Sequence, residues 1–143
     1  MKSIVLFLEQ NAPELAYQTV YNKSIPLRGR IFAKEKKYKE FMVDYQLKNE
    51  WLDKINSIKG IEIRSTCAGH SKERVPFIIF RPLNQNKNYV EKIVNNLRKC
   101  PNTFVSYDIG RQNLYRICVA TNYNNWKNWW ENIGDCISRE IIK

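Results

Sequence analysis

The feature of this sequence that most restricts its fold is a pattern met twice, a stripe of apolar residues at helical spacing followed by two strand-like runs. Phe41, Met42, Tyr45, Leu52 and Ile55 recur at helical steps, with Trp51 and Ile58 beside them. Such steps bring side chains to one face of a helix. Gly60 is placed to end this stripe, because glycine enters the left-handed cap conformation without steric cost. Ile61-Glu62-Ile63-Arg64-Ser65 then alternates, as a half-buried strand does. Phe77-Ile78-Ile79-Phe80 is apolar on both faces and reads as a central strand. On the second round, Val90, Ile93, Val94 and Leu97 form the stripe, and Pro101 stops it by forcing Cys100 out of helical geometry. Val105, Tyr107 and Ile109 alternate, Gly110-Arg111-Gln112-Asn113 turns the chain, and Tyr115, Ile117 and Val119 alternate on the return. Trp126, Trp130, Ile133, Ile137 and Ile141 make a closing helix. Trp129 lies off that stripe and is expected to be partly exposed, at a ligand or against another copy of the chain.

These runs predict an α+β fold: an antiparallel sheet built from two αββ units with a C-terminal helix, the helices packed mainly on one face. A chain of 143 residues fits a single domain, and one this long buries enough surface to need no metal or disulfide. Residues 38–143 form the expected αββαββα core. Residues 1–37 are less regular, with a strand at Ile4–Leu8, a short helix opened by Pro13, and a loop or edge strand at 25–32.

Charge narrows the partner. Lys and Arg number 24 against 14 Asp and Glu, a formal net charge of +10. A field of that sign attracts phosphates and acidic surfaces. The seven basic residues Lys23, Arg28, Arg30, Lys34, Lys36, Lys37 and Lys39 face one acid, Glu35, and are interleaved with Phe32 and Tyr38. Lysines at a helix start oppose its dipole, so another benefit is expected there: phosphate neutralisation, with an aromatic ring to stack on an unpaired base. Arg28, Arg30, Lys34, Lys36 and Lys37 are therefore candidate nucleic-acid contacts. No segment reaches the roughly 20 apolar residues that span a bilayer, and the apolar start Met1–Leu8 stops too early for a signal peptide. Cys67, Cys100, Cys118 and Cys136 form no Cys-x-x-Cys pair, and His70 is the only histidine. This argues for reduced thiols, a cytoplasmic chain and no metal site.

The segment with most chemistry is Ser65-Thr66-Cys67-Ala68-Gly69-His70-Ser71, between the first two predicted strands of the core. It concentrates hydroxyls, a thiol and the histidine, with Arg64, Lys72, Arg74 and Arg81 nearby. Loops at strand ends often carry functional groups, and Gly69 permits close backbone approach to a ligand. Arg64, Ser65, Thr66, Cys67, Gly69, His70, Ser71, Arg74 and Arg81 are thus candidate ligand contacts for a phosphate or nucleotide edge. A tight connection in which Cys67 is a small buried apolar side chain accounts for the same residues. Walker loops, dinucleotide-binding glycine motifs and His-Glu-x-x-His are absent.

Asp53-Lys54-Ile55-Asn56, running through Gly60–Arg64 into Ser65–His70 and then Phe77–Phe80, resembles the core signature of the wybutosine-synthesizing tRNA methyltransferase family. In that family a helix ending in Ile-Asn leads to a strand, a Ser-Ser-Cys-Ser-Gly-Arg loop and another strand. Ser65, Cys67 and Gly69 correspond; Ala68 stands where that family has serine and His70 where it has arginine. The resemblance implies a tRNA-modifying enzyme using S-adenosylmethionine. The residues themselves fit equally a non-catalytic protein that sequesters RNA or a small phosphorylated nucleotide, or an interaction module with an acidic partner.

Overall fold

The computed structural model describes residues 34–70 and 75–142. The expected elements at 4–8, 13–17 and 25–32 lie outside them. Strands β1 (Glu35–Tyr38) and β2 (Phe41–Asp44) form an antiparallel hairpin. Then follow α1 (Asn49–Asn56), β3 (Ile61–Cys67), β4 (Phe77–Pro82), α2 (Lys87–Leu97), β5 (Phe104–Ile109), β6 (Tyr115–Ala120) and α3 (Trp126–Ile142). Strands β3 to β6 make an antiparallel sheet in the order β3-β4-β6-β5. Two αββ units and a closing helix are therefore present as expected.

Alternation along the strands divides the side chains between two faces. Ile78, Phe80, Val105, Tyr107, Ile117 and Val119 join the main apolar cluster with Leu52 and Ile55 of α1, Val90 to Leu97 of α2, and Trp130, Ile133 and Ile137 of α3. The opposite face carries a smaller cluster that includes Cys67, Phe77, Ile79, Cys118 and Ala120. Pairing passes from Ile63–Phe80 to Ser65–Ile79, so Arg64 is an extra residue in β3. Such a bulge re-aims a side chain. It also lets Ile63 face the helices while Ser65 and Cys67, two and four residues on, face the other way.

Three expectations are corrected. The first helix does not begin near Tyr38, because residues 35–44 pair as a hairpin and helix starts only at Asn49. Trp129 is buried rather than partly exposed, its Nε1 donating to Thr103 Oγ1 at 3.0 Å while its ring packs edge-on against Trp130. And the cysteines are not all reduced, since Cys100, just past α2, is disulfide-bonded to Cys136 of α3. Gly134, which costs about 1 kcal/mol in a helix interior, is explained by packing: a Cβ there would sit 3.1 Å from Lys54 Cβ, where α3 crosses α1. No helix among the described residues is long and apolar enough to cross a membrane.

Candidate functional site

Four arginines converge at one end of the sheet. The bulge places Arg64, β4 supplies Arg81, β6 supplies Arg116, and the β5–β6 turn supplies Arg111. With Tyr115, Leu114, Gly110 and Gln112 they line a concavity of about 360 Å³. The turn is held by left-handed backbone at Gln112 and Asn113, a conformation in which asparagine is several-fold enriched. Gly110 matters for a different reason: a Cβ would lie 3.0 Å from Arg116 Cδ, so glycine leaves that side chain room to lie over the turn.

Two carboxylates organise the cations. Glu62 accepts from Arg81 at 2.6 Å and from Arg64 at 2.9 Å, and those two guanidiniums hold its carboxyl below the usual range. Arg116 Nε donates to Asp108 at 2.8 Å. Arg111 is exposed and has no acidic partner among the described residues. Four guanidiniums against two carboxylates leave the concavity positive. Its planar N–H forks are matched to carboxylate and phosphate oxygens.

Of the two readings of this segment, residues 65–70 take the tight connection with Cys67 buried. Strand β3 continues through Cys67, leaving Ser65 exposed and Thr66 half-buried, while Cys67, Ala68 and Gly69 are buried. Gly69 has φ +95°, and a Cβ on it would meet the Pro76 ring at 2.6 Å, so its glycine serves a tight chain crossing. His70 turns inward with its side chain only 3% exposed, Nε2 lying 3.2 Å from Asp44 Oδ2. The same carboxylate oxygen accepts from Ala68 N at 2.7 Å, and Ala68 O accepts from Trp130 Nε1 at 3.3 Å. Asp44, then Cys67, stabilise the imidazolium against the cost of burial and lift its pKa to about 9.

Of the expected ligand contacts, Arg64 and Arg81 thus share the concavity. Cys67, Gly69 and His70 are interior groups that do not line it, and Ser71 and Arg74 lie outside the described residues. Among the expected nucleic-acid contacts, Arg28 and Arg30 also lie outside them. Lys34, Lys36 and Lys37 sit on or beside β1, a strand rather than a helix start, so no helix dipole opposes them. Tyr38 is not a stacking surface: it is buried and donates its hydroxyl to Asp53, and burial, then Asp53, raises its pKa. The exposed ring is Tyr45, with Lys34 Nζ 4.8 Å and Lys36 Nζ 5.9 Å from its centroid.

A larger cavity, about 410 Å³, lies over the Cys100–Cys136 bond and is lined by amides, Thr103 and Trp129. Its charges, Asp135 and Arg139, balance, so it lacks the field that the composition leads one to seek. No protein-family model, curated protein or solved structure matches this chain.

Proposed function

We propose that this chain binds a nucleic acid or a phosphorylated nucleotide, seating a phosphate among Arg64, Arg81, Arg111 and Arg116. The observation that carries this reading is the concavity itself, in which four arginines outnumber the acids that organise them. Guanidinium groups held by Glu62 and Asp108 keep further N–H donors for an incoming anion, and being already oriented they lose less entropy on binding. Tyr115, whose ring packs against Tyr107, also borders the concavity. Lys34, Lys36 and Lys37, with Tyr45, offer a second surface for a longer strand.

The resemblance of residues 53–80 extends this reading to tRNA as substrate and S-adenosylmethionine as methyl donor. Its support is the correspondence of Ser65, Cys67 and Gly69. An RNA ligand would place the chain in the cytoplasm, and the Cys100–Cys136 bond is the observation that weighs against that location.

Titration of a fluorescein-labelled oligoribonucleotide, bulk tRNA and nucleoside phosphates at several salt concentrations tests the binding. Arg111→Ala and Arg64→Ala are each expected to weaken it several-fold and to lower the salt slope by about 1. Unchanged affinity and slope in both variants would remove the concavity from the account. Methyl transfer from S-adenosylmethionine to tRNA, with release of S-adenosylhomocysteine, separates the enzyme from the simple binder.

A further inference from the structure

We propose that Asp44, Cys67 and His70 form a zinc site that fastens the β1–β2 hairpin to the end of β3. Their donor atoms, one carboxylate oxygen, one sulfur and one ring nitrogen, all lie within 4.8 Å of one another. They come from the last residue of β2, the last residue of β3, and the third residue beyond it. Local spacing supplies Cys67 and His70 as a Cys-x-x-His pair, and strand topology brings Asp44 to them from the end of β2.

The chemistry of the set favours zinc. Thiolate, imidazole and carboxylate are its three protein ligand types, whereas magnesium and calcium take oxygen ligands. Zinc bonds of about 2.0–2.3 Å in a tetrahedron put neighbouring donor atoms roughly 3.3–3.8 Å apart. His70 Nε2 and Asp44 Oδ2 are already 3.2 Å apart. The widest pair would need to close by only on the order of 1 Å to complete three corners of that tetrahedron. A carboxylate–imidazole pair by itself needs no thiol, yet Cys67 is held within reach of both partners.

The surroundings are those of an ion site. The His70 side chain is 3% exposed and that of Asp44 12%, and Cys67 is 7% exposed, so all three are withdrawn from water. Ionisable groups withdrawn this far pair with one another, as Asp44 and His70 do, or coordinate a metal. The Asp44 carboxylate is steadied by the Ala68 amide, the kind of supporting bond that orients metal ligands. Three protein ligands leave a fourth position for water or one further donor.

Metal content of the purified chain after equilibration with zinc and removal of excess tests the site, together with cobalt substitution. The expected result is one zinc per chain, and a cobalt form with thiolate-to-cobalt charge-transfer absorption and the intense visible bands of a tetrahedral ion. With Cys100 and Cys136 in the disulfide, only Cys67 and Cys118 can supply a thiolate. Burial pushes the Cys118 thiol up to about 12, which disfavours it. Cys67→Ser should abolish the charge-transfer band, and His70→Gln should weaken zinc binding by more than about tenfold, since losing even a group that supports a ligand costs that much. Absence of stoichiometric zinc, a cobalt form without thiolate absorption, or wild-type affinity in His70→Gln would each overturn the proposal. The wild-type cobalt spectrum decides even if a variant fails to fold.

Discussion

Gly69 shows how one residue fixes the geometry of the candidate metal cluster. Its φ of +95° and the Pro76 ring where a Cβ would be leave room for glycine alone. Gly69→Ala should therefore destabilise the chain by about 1–3 kcal/mol in a denaturant titration, from left-handed strain plus the clash. A loss below about 0.5 kcal/mol, the range of an ordinary surface change, would mean that the crossing is looser than described. The sequence marked this glycine as special but for a different purpose, close approach to a ligand. Its true neighbour, Pro76, stands seven residues away, and no local pattern announces such a crossing. Asp44 was hidden for the same reason: nothing in residues 41–45 links a carboxylate to a histidine 26 positions later, and only the meeting of β2 with β3 does so.

At the level of elements, the sheet and the later helices were legible because their side-chain periods are unambiguous. Val105–Tyr107 and Ile117–Val119 alternate cleanly, and Val90–Leu97 can bury one face only as a helix. The hairpin was not legible. Its turn, Lys39-Glu40, lacks the Asn-Gly or Asp-Gly that usually marks a two-residue connection, although Lys39 adopts the left-handed conformation. Phe41, Met42 and Tyr45 fit a helical step as well as a strand, and such short runs do not decide the period. The arginine cluster was half legible. Arg64 and Arg81 adjoin the conspicuous Ser65–Ser71 segment, whereas Arg111 and Arg116 read as a turn and a strand until the order β3-β4-β6-β5 brings them alongside. Glu62 bridges two of these arginines, and its carboxylate opposes any anion that approaches them. Glu62→Gln should consequently tighten oligoribonucleotide binding about threefold or more at low salt, a gain of roughly 1 kcal/mol from one charge removed near the surface. Weaker binding in that variant would mean that the aim Glu62 gives Arg64 and Arg81 outweighs its repulsion of the anion.

At the scale of the molecule, the three helices among the described residues pack on one sheet face, and the described part of the other face carries an apolar cluster and a cationic end. The disulfide clamps α3 to the end of α2 across 36 residues of chain, a closure worth on the order of 3–4 kcal/mol by loop entropy. It lies beside the amide-lined cavity and does not border the arginines. Arg64, Arg81 and Arg116 stand on hydrogen-bonded strands and are held by carboxylates, an arrangement that would lower the ordering cost of binding an anion there. Side-chain Nε–H spectra of the arginines, recorded while a nucleoside phosphate is added, test this most directly. Arg64, Arg81, Arg111 and Arg116 are expected to shift together and to saturate with a single affinity. Shifts confined to other residues, with these four resonances unmoved, would contradict it.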